Sequence, residues 1–166
     1  KTFIRNTLLT TADYDFFTVP TLGFRRLFVF VILDHGRRVI RHVGVTARPS
    51  VAWCAAQLRV AFPEGVPRPK HLVHDREKTF RLPGFLSVLA DLGIQDKVTL
   101  APRQPWMNAL CERVIGTLRH DCTDHVLVLN AAHLARILRE YVAYYNASRT
   151  HLALEQLTED TAVREY

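Results

Sequence analysis

The sequence predicts an α/β domain, and three observations carry that prediction. Three strand-like runs follow one another between residues 12 and 46, helical and strand-like stretches then alternate, and two long amphipathic helical patterns close the chain. The 166 residues suffice for one domain with a sizeable core. With 48% hydrophobic and 23% charged residues, the composition is that of an ordinary globular protein.

The first three strands are predicted from residue type. Ala12–Val19 is rich in aromatic and β-branched residues and stops at Pro20. Arg26–Asp34 is a nearly continuous apolar run, which is typical of a strand covered on both faces. Arg38–Thr46 follows a short turn and alternates roughly. These runs favour an antiparallel meander.

The rest of the chain alternates between the two kinds of element. Ser50 is a credible N-cap for a helix that ends near Pro63, and Asn130 caps a later one. The other predicted elements are a parallel strand at His71–His74, a helix at Pro83–Leu92, a last strand at Lys97–Leu100 and a helix after Trp106. Apolar residues at helical spacing, including the stripe Tyr141–Tyr145, are predicted to face the core.

Charge and organisation narrow the class of partner. The net charge of +6 and pI near 9.6 suit a polyanion. Three cysteines without CxxC spacing favour buried reduced thiols in an intracellular, cytoplasmic protein. No apolar run suits a membrane helix, so no membrane partner is expected. We divide the chain into a linker (1–11) from a missing N-terminal region, a core domain (12–148) and a C-terminal tail (149–166).

Three acidic residues stand out. Asp15 lies inside the first strand, where Asp is disfavoured, and Asp13 shares its face but is interpreted as a structural strand-edge residue. Asp75 follows the short fourth strand directly, and Glu112 lies on its helix opposite the apolar stripe. If the first and fourth strands are adjacent, the three carboxylates converge. Divalent cations are the usual remedy for such repulsion.

The motifs around these acids resemble a known family. They are Asp-Phe-Phe-Thr-Val from Asp15, His-Asp-Arg around Asp75, Ala-Pro-Arg-Gln-Pro-Trp-Met-Asn-Ala-Leu-Cys-Glu-Arg up to Arg113, and the stretch 144–154. Together they resemble the integrase catalytic core of DDE-type insertion-sequence transposases and retroviral integrases. Asp75 and Glu112 have 36 residues between them, close to the spacing of that family.

The resemblance implies a ribonuclease-H-like fold, with a five-stranded mixed sheet flanked by helices, and a metal-dependent polynucleotidyl transferase. It implies that Asp15, Asp75 and Glu112 are both the catalytic triad and the ligands of two Mg²⁺ or Mn²⁺ ions. The partners implied are DNA, as element ends and target, and further copies of the chain. The alternatives left open are a ribonuclease-H-type nuclease and a domesticated, non-catalytic DNA-binding module.

Further residues near Glu112 are candidates for DNA contacts. Asn108 lies one helical turn before Glu112, and Trp106 either stacks on a base or anchors the loop by packing, which is favoured. The candidate phosphate contacts are Arg103, Arg113 and Arg119.

Overall fold

The computed structural model describes residues 11–74, 83–98 and 106–163. Its elements, in chain order, are β1 (Thr11–Pro20), β2 (Arg26–Asp34), β3 (Val39–Thr46), α1 (Val51–Ala61), β4 (His71–His74), α2 (Pro83–Asp91), β5 (Gln95–Val98), α3 (Trp106–Asp121), a short 3₁₀ helix (Thr123–His125) and α4 (Ala131–Val163).

The five strands form one mixed sheet in the order β3-β2-β1-β4-β5. β1 and β2 pair antiparallel, as do β2 and β3, whereas β4 lies parallel to both β1 and β5. The predicted meander and the predicted parallel fourth strand are therefore confirmed, and the condition that the first and fourth strands are adjacent is met. β1 lies at the centre of the sheet.

Helices cover both faces of the sheet. On one face, Phe17 and Val31 join a cluster with the apolar residues of α3 and α4. On the other face, Tyr14 and Phe30 pack with residues of α1 and α2. Residues 29–33 of β2 have no exposed surface, because this strand contributes to both clusters. That double burial explains why its sequence is apolar without alternation.

The helix starts follow the predicted caps. The Ser50 hydroxyl accepts a hydrogen bond from the backbone N–H of Trp53 at 3.1 Å, and the Asn130 side chain accepts one from His133 at 2.9 Å. The core prediction for the tyrosine stripe is confirmed for Tyr145, which is buried, and for Tyr141, which is partly buried.

The last strand begins earlier than predicted. β5 starts at Gln95, not at Lys97, because the parallel ladder pairs Gln95 with His71 and the backbone N–H of Gln95 donates to the carbonyl of Lys70. Gln, Asp and Lys have weak strand preference, so the sequence pattern favoured the β-branched residues that follow. Pairing with β4 overrides that preference.

Two features bear on the ends of the chain. Thr11 is already the first residue of β1, and α4 continues from Ala131 to Val163 across residue 149, where the C-terminal tail was predicted to begin. The division into linker, core and tail stays a prediction. None of the helices described is both long enough and apolar enough to span a membrane.

Candidate active site

Asp15 lies in the middle of the central strand. Its backbone pairs with Val31 of β2, and its side chain is half-buried on the face that α3 and α4 cover. One carboxylate oxygen accepts a hydrogen bond from the backbone N–H of Phe16 at 2.7 Å. This bond restricts the rotamer, so the carboxylate is held by the strand that carries it.

Glu112 lies on α3, one of the two helices that pack against this face of the sheet. The helix buries Cys111, Val114 and Leu118 against the sheet and leaves Glu112 exposed. The amphipathic pattern predicted for this helix is therefore confirmed. Because α3 is fixed by its buried stripe, the backbone of Glu112 is held firmly beside the sheet.

The buried thiol of Cys111 shows how close these acids come. Burial is the first cause that raises the pKa of Cys111 well above its ordinary value, and the negative charges of Asp13, Asp15 and Glu112 raise it further. Each of the three carboxylates is therefore near enough to affect the same thiol, on the face of α3 that packs against the sheet. Because its pKa is raised, Cys111 stays protonated at neutral pH and is no nucleophile.

Arg119 contacts β1 further along α3. Its guanidinium lies over the ring of Phe17, 5.4 Å from the ring centroid, and its side chain is exposed. Arg119 follows Glu112 by two helical turns, just as Phe17 follows Asp15 along β1. α3 therefore runs along β1, with its acidic residue near Asp15 and a basic residue further along.

The structure corrects the interpretation of Asp13 as a strand-edge residue. Asp13 lies on the central strand, is 1% exposed and forms a hydrogen bond with Nε2 of the buried His35. Its other oxygen, Oδ1, has no hydrogen-bond partner in the described part of the chain. Burial raises the pKa of Asp13, and this effect outweighs the opposing bond with His35.

Sequence reasoning missed the pairing of Asp13 with His35. A signal for Asp13 was present, because it lies two residues before Asp15 and must share its face. His35 comes directly after the apolar run of β2 and was taken as part of a turn. Its backbone N–H donates to the carbonyl of Thr11 at 3.1 Å, which draws the ring into the interior beside β1.

The remaining predicted site residues are only partly described. Asp75 and Arg103 lie outside the described residues, although β4 is described up to the residue before Asp75. Trp106 and Asn108 belong to the first turn of α3, and their side chains are likewise outside the description. Arg113 is exposed on α3. Within the described ranges, no three His, Cys, Asp or Glu side chains are arranged to hold a metal ion.

Comparison with known proteins adds the family. Residues 93–158 match the integrase core domain family. Over 135 residues the chain is also 25% identical to a protein of Escherichia coli (strain K12) assigned as transposase InsK of insertion sequence element IS150. Residues 93–158 of the chain are therefore similar to an integrase core domain. The second match covers 81% of this chain and 47% of that protein, so the chain spans about half the length of its relative.

Solved structures share the fold of this chain. The catalytic domain of Mos1 mariner transposase has a TM-score of 0.63 and 12% identity, over 84% of this chain and 78% of its own. The HTLV-2 integrase catalytic core domain, solved with magnesium in a dimeric form, has a TM-score of 0.54 and 14% identity, over 67% and 68%. The predicted ribonuclease-H-like α/β fold is thereby confirmed.

Proposed function

We propose that this chain catalyses metal-dependent cleavage and transfer of DNA strands, with Asp15, Asp75 and Glu112 as its catalytic residues. The observation that supports this most is that α3, which carries Glu112, packs against the sheet face that carries Asp15, so that both carboxylates act on the buried thiol of Cys111. Asp75 follows β4 in the sequence, and β4 pairs with the strand that carries Asp15.

The donor set fits magnesium or manganese. Carboxylate oxygens are the hard ligands that Mg²⁺ prefers, and the protonated Cys111 thiol beside them competes poorly for such an ion. The HTLV-2 integrase core that shares this fold was solved with magnesium. Two such ions, bound by Asp15, Asp75 and Glu112, would offset the charge that develops on a phosphodiester during displacement.

The residues of the chain itself supply positioning. The Phe16 N–H holds the Asp15 carboxylate, and the buried stripe of α3 holds the backbone of Glu112, which reduces the ordering required when DNA binds. The exposed Arg113 and Arg119 are placed to neutralise phosphates along the same helix. The attacking group is a water or a 3′-hydroxyl, and no covalent bond to the protein forms.

The proposed partners follow from this chemistry. They are DNA, as element ends and target, and further copies of the chain, in a cytoplasmic, nucleoid-associated setting. The net charge of +6 supports a polyanionic partner. The dimeric and trimeric forms in which HTLV-2 integrase cores were solved support self-association.

The test is Mn²⁺-dependent nicking of supercoiled DNA by the 166-residue chain. Glu112→Gln and Asp15→Asn keep shape while removing a charge, and each should abolish nicking while the unfolding transition stays in place. Asp124→Asn is the matched control, because Asp124 is an exposed acid on the 3₁₀ helix. Undiminished nicking by either triad variant would exclude that residue from the mechanism. An RNA–DNA hybrid cut in preference to DNA would favour the nuclease alternative.

A further inference from the structure

A cavity with basic walls lies away from Asp15 and Glu112. It has a volume of about 280 Å³ and is lined by Arg37, Arg41 and Arg68 together with Asp34 and Phe62. That volume is several times the ~30 Å³ that one water occupies in the liquid. We call the three guanidinium groups that line it the arginine cradle.

Neutral partners hold two of these arginines in place. Arg41 donates from Nε to the carbonyl of Ala61 at 3.3 Å, and its guanidinium lies over the ring of Phe62 at 5.6 Å. Arg68 donates to the carbonyl of Leu92 at 3.4 Å. Each bond uses one N–H of the fork and leaves the others for a ligand. The cradle is therefore preorganised without being neutralised.

The charge of the arginine cradle is not compensated by the residues that the structure describes. Over the residues that the structure describes, no ion pair involves any of the three arginines. Asp34 is the one acid among the residues that line the cavity, and its carboxylate accepts the backbone N–H of Arg37 at 3.1 Å. Three guanidinium groups against one carboxylate leave a net positive charge that attracts an anion.

We propose that the arginine cradle binds a phosphate group. Guanidinium forks match phosphate oxygens in geometry, and several converging forks are typical of phosphate recognition. The apolar wall at Phe62 and the neighbouring prolines Pro67 and Pro69 leaves room for the organic part of a phosphate ester. The phosphate belongs either to a nucleic-acid backbone or to a small free phosphate.

The arginine cradle is separate from the proposed active site. Ala12, in its wall, faces the side of the sheet that α1 and α2 cover, whereas Asp15 faces α3 and α4. A phosphate in the cradle is therefore not the one undergoing reaction. If DNA supplies it, the chain contacts DNA on a second surface.

The test compares two double variants of the Glu112→Gln chain in EDTA, so that cleavage plays no part. Arg37→Gln/Arg68→Gln removes two exposed arginines of the cradle. Arg48→Gln/Arg139→Gln removes two exposed arginines elsewhere, of which Arg139 is also held by a backbone carbonyl. Binding of a labelled 20-base-pair duplex is measured by anisotropy over a range of salt. In parallel, inorganic phosphate is titrated against chloride at equal ionic strength while the melting temperature is followed.

A nucleic-acid phosphate in the cradle predicts that the cradle variant loses about tenfold in duplex affinity and about two in salt slope, while the control loses roughly threefold or less. A free phosphate predicts unchanged duplex binding and a phosphate-dependent rise in melting temperature that only the cradle variant lacks. Equal losses in both variants, or no loss in either assay, would overturn the proposal. Because the Glu112→Gln chain in EDTA cannot cleave DNA by the proposed mechanism, a result that overturns the phosphate site does not bear on the proposed function.

Discussion

The side-chain amide of Asn146 forms two hydrogen bonds with the backbone of Ile40, each 2.9 Å long. It accepts from the Ile40 N–H and donates to the Ile40 carbonyl. Ile40 belongs to β3, which has a neighbouring strand on one side only, so the amide occupies polar groups on the free edge of the sheet. An edge closed in this way cannot pair with another chain at that position.

Asn146→Ala should therefore lower the free energy of unfolding by about 1–3 kcal/mol, because both backbone groups of Ile40 lose a partner in a half-buried place. Urea denaturation followed by circular dichroism measures the change. Ser148→Ala on the same helix is the control, since its hydroxyl bonds only to the carbonyl of Tyr144 at an exposed position. Equal effects of the two substitutions would argue against a special role for the edge.

Asp13 should impose a pH dependence of its own. Its pKa is raised above 3.8, so the folded chain keeps this proton to higher pH than the unfolded chain does. The contribution of Asp13 to the free energy of unfolding is therefore present at pH below 3.8 and is lost as the pH rises through the raised pKa. The difference between wild type and Asp13→Asn in urea denaturation should fall across that window.

Asp121 provides the opposite case for the same experiment. Hydrogen bonds from His120 and Tyr141 lower the pKa of Asp121, so its contribution is present above 3.8 and is lost as the pH falls through the lowered pKa. Asp121→Asn should therefore give a difference of the opposite slope. A flat difference for Asp13→Asn would mean that its carboxyl titrates alike in the folded and unfolded chains.

Two glycines should respond to alanine in opposite ways. A Cβ on Gly44 would lie 2.5 Å from Oε1 of Gln57 and 2.9 Å from the ring of Trp53, and Gln57 also bonds to His42. Gly44→Ala should cost about 1–3 kcal/mol in free energy of unfolding, measured by thermal and urea denaturation. A cost near zero would show that α1 yields at this point.

Gly116 is the matched partner, because a Cβ there meets nothing within 4 Å and the residue lies inside α3. Gly116→Ala should add about 0.5–1 kcal/mol to the free energy of unfolding. Gly116 follows Glu112 by one helical turn, so the same variant also probes the space beside the acid. A more stable chain with weaker DNA nicking would place the substrate against this helix face.

Phe24 holds a conformation that glycine would adopt more easily. Its φ is 57° and its side chain is 95% exposed, while its N–H donates to the carbonyl of Thr21 at 2.9 Å. Phe24→Gly should relieve the left-handed strain and raise the free energy of unfolding by about 0.5–1 kcal/mol in thermal denaturation. Phe24→Ala keeps the strain and should change little. A loss in both variants would mean that the ring packs against the fold.

Asp15 should contribute to metal affinity directly. Mn²⁺ binding is measured by titration, with the free ion followed by electron spin resonance. Wild type should bind weakly, and Asp15→Asn should bind at least about tenfold more weakly. Loss of a metal ligand should lower the affinity at least as much as loss of a residue that hydrogen-bonds to a ligand. Asp124→Asn should bind as wild type does. Equal Mn²⁺ affinities for all three proteins would show that Asp15 is not a metal ligand.

Much of the fold follows from local pattern. The apolar run of β2, the aromatic and β-branched residues around Asp15 and the caps Ser50 and Asn130 are short-range signals, and each is confirmed by the sheet order or by a cap hydrogen bond. The return of β4 to the sheet as a parallel strand followed from the helix before it, because a crossover brings the chain back to the same sheet, whereas its place beside β1 is seen in the structure.

The contacts that escaped prediction are all distant in sequence. Asn146 and Ile40 lie 106 positions apart, and His35 and Asp13 lie 22 apart, with no periodicity that links either pair. One depends on how the middle of a helix packs against the sheet and the other on how a turn does, and neither is encoded in a local pattern. The roles of Asp15, Asp75 and Glu112 stay predictions, because carboxylates look alike in sequence whether they bind an ion or water.

One helix both completes the interior and presents Glu112. Cys111 is buried against the sheet, whereas Glu112, the next residue, is exposed. Any loosening of the packing between α3 and the sheet therefore also displaces Glu112. If Glu112 is catalytic as proposed, thermal stability and activity depend on the same packing. A substitution that weakens this packing should cause activity to be lost at a lower temperature. A second substitution that restores the stability of the packing should restore activity without changing a carboxylate.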